Sequence, residues 1–267
     1  QQHATSLGAD RPRNRSGSQG IRALVTWATR CRRLASRHSR SMRIAIVTES
    51  FLPTVNGVTN SVVRAIDHLE AWGHRVMVVA PGPGEDRYRS APVVRTRART
   101  IPWYRGFPVG IGGPEVKDAV VRFRPDVVHL ASPIALGVSG LAAARAAGVP
   151  AVAVFQTDVA GFAGHYGQGW AKPAVWLWLR RIHNRSDLTL APSTIVQWDL
   201  ERRGFLRVAR WGRGVDLQLF RPSRRSSGLR RRFSPNDELV VGYVGRLGAE
   251  KRVDLLRHLD GIPGVRL

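Results

Sequence analysis

From Met42 onward, short and continuously apolar segments alternate with segments whose apolar residues recur at helical spacing. The first apolar segment is RIAIVT at 43–48. The same kind of segment recurs as RVMVVA (75–80), DVVHL (126–130), AVAVF (151–155), DLTLA (187–191) and LRVARW (206–211). Continuous apolar strands separated by helices are typical of a parallel sheet with helices on both faces. The sequence therefore predicts an α/β fold, with a Rossmann-like, doubly wound sheet that ends near residue 216.

The segments between these strands have the periodicity of amphipathic helices. In TNSVVRAIDHLEAWG, for example, Val62 and Ile66 fall on one helix face and Gly73 marks the end of the helix. Further helices are predicted at 114–123, 134–147, 173–184 and 194–203. Residues 81–113 contain Arg, Pro and Gly residues throughout and show neither pattern, so we expect them to be irregular.

Changes in composition divide the chain into four parts. Residues 1–41 contain nine arginines and one aspartate, and we expect them to form a basic, disordered leader. Residues 42–220 form the predicted N-terminal domain, and the basic segment 221–237 is a predicted linker. In 238–267, LVVGYVG and KRVDLLRHL predict a strand and a helix. We expect this βα unit to begin a second Rossmann-like domain, because one such unit cannot bury its own apolar surface.

The formal net charge of +23 predicts an anionic partner. Nucleic acid, anionic lipid headgroups and a phosphorylated substrate all fit that charge. The basic residues are dispersed and form no zinc-finger, RNA-recognition or basic-zipper pattern, which argues against specific nucleic-acid binding. No apolar run approaches the roughly 18–20 residues that a membrane-spanning helix needs. The single cysteine, Cys31, excludes a disulfide within the chain and fits a cytoplasmic location.

Polar residues and glycines follow the predicted strands where each strand ends. In an open α/β sheet, ligands bind outside the carboxyl ends of the strands. The positions are Glu49, Asn56 and Gly57 after the first strand, Ser132, then Gln156, Thr157 and Asp158, Asp216, and finally Arg246 and Lys251. Together these residues predict a rim of hydrogen-bonding groups around one crevice.

The chemistry of this rim points to anion binding. Gly57 precedes a predicted helix and lets backbone N–H groups approach a phosphate closely. Arg246 can contact a phosphate through two nitrogen atoms, and Lys251 adds a compact charge. The chain contains no G-x-G-x-x-G after the first strand, no Walker A motif, no H-E-x-x-H and no Asp-x-Asp. We therefore expect neither a dinucleotide cofactor nor a metal ion.

Several longer segments resemble glycosyltransferase family 4, whose members have the GT-B fold. The segments are MRIAIVTESFLPTVNGVTNSV, FQTDVAGF, LAPSTIVQWDLERRGF, WGRGVD and YVGRLGAEKRVDLL. Within the family, the chain is most similar to the actinobacterial GDP-mannose-dependent α-mannosyltransferases that act on lipids. This resemblance implies a retaining sugar transfer from a nucleotide-diphosphate donor, GDP-mannose, to a lipid or glycolipid without a metal ion.

The resemblance also implies roles for individual residues. Arg246 and Lys251 match the family's diphosphate-binding pair, and Gly57 matches a loop glycine near the donor phosphates. Many relatives have a histidine where this chain has Gln156, which can position a sugar hydroxyl but cannot transfer a proton. Asp158 is expected to orient the acceptor hydroxyl. The other rim residues, on the acceptor side of the cleft, are Asn56, Ser132, Thr157 and Asp216.

A second departure concerns the end of the chain. The family's C-terminal domain carries a pair of glutamates that hold the donor's sugar and ribose, and no segment of this chain after residue 251 supplies them. The resemblance therefore predicts that the 267 residues are a fragment with little or no activity.

One helix has the composition of a membrane-surface helix. GWAKPAVWLWLRRIHNR places Trp170, Trp176, Trp178, Arg180 and Arg181 close together. Aromatic and basic residues on one helix can sit in a bilayer interface, here the inner face of the plasma membrane. The alternative is that the helix packs its tryptophans on the sheet. Two other functions also stay open: a basic nucleic-acid-binding protein, and a nucleotide-sugar epimerase or phosphorylase on a similar sheet.

Overall fold

A computed structural model describes residues 41–101, 104–161, 169–212, 214–245, 247–248 and 251–267 of the chain. The predicted leader, apart from Ser41, lies outside these residues. The strands are β1 Arg43–Thr48, β2 Arg75–Pro81, β3 Arg87–Tyr88, β4 Ala91–Thr96, β5 Ala98–Ile101, β6 Tyr104–Gly110, β7 Val127–Ala131, β8 Ala151–Val154, β9 Leu188–Ala191, β10 Val208–Arg210, β11 Leu239–Val240 and β12 Val265–Arg266. The α-helices are α1 Gly57–Ala71, α2 Pro114–Phe123, α3 Leu136–Ala146, α4 Lys172–Arg185, α5 Thr194–Arg202 and α6 Ser227–Phe233.

Eight of these strands form one sheet in the order β10-β9-β8-β7-β1-β2-β4-β3. All neighbouring pairs are parallel except β3 and β4 at one edge. After β1, strands β2 and β4 are added on one side of the sheet. β7 then pairs with the other side of β1, and β8, β9 and β10 follow on that side. The order therefore reverses between β1 and β7, which is where ligands bind in doubly wound sheets. The predicted α/β class with a Rossmann-like sheet is confirmed.

The core forms because the apolar strands are covered by apolar helix faces. Val47, Val79 and Leu130 from the central strands pack with Val116 of α2 and Leu136 of α3 in one buried cluster. Strands buried on both faces are continuously apolar, as the sequence pattern indicates. Burial of these side chains fixes the positions of the strand ends and of the loops that follow them.

The prediction that residues 81–113 are irregular is wrong. This segment contains β3 to β6, and β4 pairs in parallel with β2 in the main sheet. Ala91, Val93 and Thr96 of β4 are buried, while Pro92 between the first two is exposed. The exposed Pro92 and the half-buried Arg95 interrupt the apolar pattern of β4 in the sequence. β5 and β6 pair with each other as a separate antiparallel hairpin.

The last part of the chain also differs in detail from the prediction. The predicted linker 221–237 contains the short helix α6, which Ser226 caps through its side chain. β11 ends at Val240 and pairs in parallel with β12, and Val253–Leu259 is a 3-10 helix rather than the predicted α-helix. None of the residues of that helix is buried, so it lacks the packed apolar face from which most α-helices gain stability. The domain boundaries proposed from the sequence remain predictions.

Candidate functional site

The candidate site lies at the carboxyl ends of β1, β7 and β8, beside the point where the strand order reverses. β1 leads into a loop that carries Asn56 and Gly57, and β7 leads into the turn at Ser132. β8 leads into Gln156, Thr157 and Asp158. The sheet therefore brings these three loops to one edge, as the strand-end rule predicts.

The loop after β1 is organised by the side chain of Asn56. Its Oδ1 accepts hydrogen bonds from the backbone N–H groups of Val58 and Thr59, at 3.0 Å each, and its Nδ2 donates to Ser50 Oγ at 2.7 Å. Asn56 is therefore the N-cap of α1, a role that asparagine fills well. Gly57 next to it is exposed, and no atom lies within 4 Å of the position that a Cβ would take.

Ser132 and Thr157 meet across the ends of β7 and β8. The hydroxyl of Ser132 donates to Thr157 Oγ1 at 2.7 Å, although the residues are 25 positions apart in the chain. Ser132 has a φ of 57°, a conformation that non-glycine residues adopt rarely and that often occurs at functional sites. The structure thus brings together two residues that the sequence places on the cleft side.

The two predicted catalytic residues lie in the same loop as Thr157. Gln156 is half-buried and Asp158 is exposed. The Asp158 carboxylate accepts a hydrogen bond from the backbone N–H of Gly161 at 2.8 Å, so it stabilises a local turn and still faces solvent. Both side chains lie at the strand edge, and their catalytic roles remain predictions.

Asp216 lies in the loop that follows β10 and has a clear structural role. Its Oδ1 accepts from the backbone N–H groups of Gln218 and Leu219 at 3.0 Å each, and these bonds lower the pKa of the carboxyl. Its other oxygen lies 3.9 Å from a guanidinium nitrogen of Arg64 on α1. Asp216 therefore connects this loop to the helix that begins at the candidate site.

Of the predicted diphosphate-binding pair, Arg246 lies outside the described residues. Lys251 is exposed, and its backbone N–H donates to the carbonyl of Gly248 at 2.9 Å. Among the residues that the structure describes, no hydrogen bond or ion pair of the Lys251 ammonium is found. Its role in binding a diphosphate remains a prediction.

Glu49, one of the predicted rim positions, has a structural role that the sequence alone does not indicate. Its Oε1 accepts hydrogen bonds from the N–H groups of Ile134, Ala135 and Gly137, at 2.9, 2.7 and 3.0 Å. The residue is 1% exposed, and its Oε2 is buried without a hydrogen-bond partner in the described structure. Burial raises the pKa of the carboxyl and outweighs the opposing effect of the backbone hydrogen bonds. Glu49 therefore ties the end of β1 to the first turn of α3.

Two histidines have altered acidity, namely His183, which is fully buried, and His129, which is half-buried. Burial lowers the pKa of His129 and of His183 to about 4, so both are neutral at physiological pH. The Nδ1 of His183 lies 3.2 Å from Thr189 Oγ1, and its ring packs against Phe155 and Phe205. His183 is too deeply buried to contact a substrate, so it does not replace the histidine that the resemblance leads us to expect in place of Gln156.

The tryptophans in and just before α4 show both predicted arrangements, packing against the domain and exposure at the surface. Trp176 stacks on Phe155 with ring centroids 5.9 Å apart, and the Arg203 guanidinium lies 4.1 Å from its centroid. Trp178 is 46% exposed, and its indole N–H donates to the carbonyl of Ile134 at 2.9 Å. Trp170, just before the helix, is 82% exposed. The helix thus packs Trp176 inward and leaves Trp178 at the surface, and Trp170 before the helix is also exposed.

Comparison with known proteins decides the family. The family model described as Glycosyltransferase Family 4 matches residues 55–219, which include Asn56, Gly57 and the later loops of the candidate site up to Asp216. The chain belongs to glycosyltransferase family 4. The computed structure is similar to the crystal structure of the Anabaena protein HepE in complex with UDP-glucose, with a TM-score of 0.59 and 18% identity. That match covers 84% of this chain and 59% of HepE and supports the GT-B fold.

Curated members of glycosyltransferase family 4 are similar in sequence. A GDP-mannose-dependent alpha-mannosyltransferase of Mycolicibacterium smegmatis is 53% identical over 224 residues, which are 82% of this chain and 60% of the relative. The enzyme of the same name from Corynebacterium glutamicum is 42% identical over 85% of this chain and 57% of its own length. A sulfoquinovosyl transferase of Arabidopsis thaliana is 32% identical over 86% of this chain and 47% of its own length. The chain spans about 60% of the length of the mannosyltransferases that it matches.

Two general properties of this family 4 chain complete the description. In the described parts of the chain, no helix has both the length and the apolar composition that crossing a bilayer requires. The same residues contain no group of three or more His, Cys, Asp and Glu side chains placed to hold a metal ion.

Proposed function

We propose that the protein to which this chain belongs transfers mannose from GDP-mannose to a lipid or glycolipid acceptor with retention of configuration. The observation that carries this proposal is the 53% identity to a GDP-mannose-dependent alpha-mannosyltransferase over 82% of the chain. The acceptor class is supported by a weaker relative, a phosphatidylinositol dimannoside mannosyltransferase.

In this proposal the reaction exchanges one bond at the anomeric carbon of mannose. The bond from this carbon to the diphosphate oxygen breaks, and the diphosphate leaves with the electron pair. The acceptor hydroxyl oxygen forms the new bond from the same face, and its proton passes to the departing phosphate. Arg246 and Lys251 stabilise the charge on the diphosphate, as preorganised cations do in a water-poor cleft, so no metal ion takes part.

The acceptor side of the proposed cleft is the edge formed by the loops after β1, β7 and β8. Gly57 stands exposed at the first residue of α1, where the open space around it lets an anion approach and the helix dipole favours negative charge. Gln156 and Asp158 lie in the loop after β8 and provide an amide and a carboxylate for sugar and acceptor hydroxyls. Ser132 and Thr157 hold that loop next to the end of β7.

We also propose that the enzyme works in the cytoplasm at the inner face of the plasma membrane, where a lipid acceptor is presented. The two exposed tryptophans of the α4 region and the arginines beside them support contact with an anionic surface.

The test is a transfer assay with the chain completed to the full length of its relatives. Radiolabelled GDP-mannose and a membrane lipid extract are incubated with and without a chelator, and UDP-glucose is the matched donor control. We expect labelled lipid from GDP-mannose alone, unchanged by the chelator. Free labelled sugar isomers, or sugar phosphate, in place of labelled lipid would instead identify an epimerase or a phosphorylase. Loss of the product in chelator would contradict the metal-independent mechanism.

A further inference from the structure

A cavity of about 400 Å³ lies between α3 and α4. Its lining consists of Val138 and Leu141 from α3 and of Trp178, Arg181, Ile182 and Arg185 from α4. This volume falls within the range of roughly 300–1,000 Å³ that ligand pockets have. We refer to it as the α3–α4 groove. Its floor is apolar, because Leu141 and Ile182 are almost fully buried, while both arginines are exposed at its margin.

The two helices that form the groove differ in charge from the other helices on the sheet. α1, α2 and α5 each contain two acidic residues, whereas α3 and α4 contain none. Instead α3 and α4 carry five basic side chains, namely Arg145, Lys172, Arg180, Arg181 and Arg185. Among the described residues, the ion pairs involve other arginines and neither Arg181 nor Arg185. The groove therefore has cationic margins that no carboxylate of these helices neutralises.

The geometry of the margin suits a phosphate. Arg181 and Arg185 are four residues apart on α4, so they lie on the same face of the helix, one turn apart. Guanidinium groups bind phosphate oxygens through paired hydrogen bonds. An anion between the two side chains would lie directly above the apolar floor.

The surface around the groove suits a bilayer. Trp178 is half-exposed with its N–H bonded to a carbonyl, and Leu177 beside it is 42% exposed. Trp170 is exposed just before α4 begins. Tryptophan and arginine side chains of this kind occupy the boundary between headgroups and acyl chains.

From these observations we infer that the α3–α4 groove binds one anionic phospholipid of a bilayer. An acyl chain lies on the floor formed by Val138, Leu141 and Ile182, and the phosphate lies between Arg181 and Arg185. The inference rests on the proposed function in one respect, since a lipid acceptor brings the enzyme to the membrane. None of the candidate-site residues at the strand ends lines the groove, so lipid in the groove is an anchor and not the sugar acceptor.

The test measures binding of the purified chain to vesicles without donor or acceptor, so its failure leaves the proposed transfer reaction untouched. The vesicles contain phosphatidylcholine with or without phosphatidylglycerol. The double variant Arg181→Ala, Arg185→Ala is compared with Arg122→Ala, Arg124→Ala, which removes the same charge at a second arginine-lined cavity beside α2. Each arginine near an anionic surface adds to the free energy of binding. We therefore expect the Arg181→Ala, Arg185→Ala variant to bind roughly tenfold or more weakly than the control.

A third variant separates a lipid site from general attraction between charges. Val138→Gln keeps every charge and places a polar amide on the apolar floor, and Val138 is exposed enough to be replaced without opening the core. We expect Val138→Gln to bind phosphatidylglycerol vesicles several-fold more weakly and soluble dihexanoyl phosphatidylglycerol to compete with the wild-type chain. Equal binding by the two arginine double variants would overturn the inference. So would wild-type binding by Val138→Gln, since an anion would then be bound without its acyl chain, as inorganic phosphate or nucleic acid is.

Discussion

Glu49→Ala should destabilise the protein through the loop between β7 and α3. The substitution removes the acceptor of three backbone hydrogen bonds, of which the one from Gly137 is buried and those from Ile134 and Ala135 are half-buried. An unsatisfied buried N–H costs about 1–3 kcal/mol, and a lost partly hydrated bond costs about 0.5–1.5 kcal/mol. The sum of about 2–6 kcal/mol is reduced because a buried carboxylate no longer has to be desolvated. We expect the free energy of unfolding to fall by about 3 kcal/mol.

The assay is urea unfolding followed by tryptophan fluorescence, with Glu201→Ala as the matched control. Glu201 is an exposed glutamate on α5, so its replacement should change the free energy of unfolding by less than about 0.5 kcal/mol. Equal stability of the two variants would refute the role assigned to Glu49.

The pH dependence of the same residue gives a second, independent result. Burial raises the pKa of Glu49 above its ordinary value of 4.5. A carboxyl whose pKa is higher in the folded state than in the unfolded state favours folding while it is protonated. This stability is fully present below the unfolded pKa and is lost as the pH rises through the folded pKa. Glu49→Gln cannot ionise, so the wild type should lose stability relative to this variant as the pH rises above 4.5. A relative gain of the wild type over that range would show that the hydrogen bonds outweigh burial.

Three further variants test separate parts of the structure. Burial lowers the pKa of His183 to about 4, so its contribution to stability is present above pH 6.5 and is lost as the pH falls towards 4. His183→Gln should remove about 3 kcal/mol of this acid sensitivity, measured by urea unfolding at several pH values. Asn56→Ala removes the α1 cap and should lower the free energy of unfolding by about 1 kcal/mol, with Asn60→Ala, inside the same helix, as control. The added methyl group of Gly57→Ala meets open space, so the free energy of unfolding should stay within about 0.5 kcal/mol of the wild type. The same variant should weaken donor binding in the completed enzyme, and unchanged affinity for GDP-mannose would remove Gly57 from the site.

The sequence predicts the central strands and their helices well because each of them has a local signal. β1 is a continuous apolar run, and α1 has one apolar face and a glycine just after its end. β4 is missed because Pro92 and Arg95 interrupt its apolar pattern. The 3-10 helix at Val253–Leu259 has helical periodicity, but its apolar side chains are not buried in the described structure.

The candidate site is predictable only in part. The rule of strand ends places Ser132 and Thr157 at one edge of the sheet, and the structure joins them by a hydrogen bond. Glu49 could not be assigned a role from the sequence, since the amides that it binds lie 85 to 88 residues away. Asn56 had a visible signal, an asparagine before a helix, and its side chain caps that helix.

The central claim is that Arg246 and Lys251 stabilise the diphosphate that leaves as mannose is transferred. The most direct measurement is the turnover of GDP-mannose by the completed enzyme with both residues replaced by alanine. The control enzyme carries Arg122→Ala and Arg124→Ala on α2 and its C-terminal side, away from the strand ends. We expect turnover by the Arg246, Lys251 variant to fall by roughly 100-fold or more and turnover by the control to remain at the wild-type level. Undiminished turnover in the first variant would contradict the mechanism.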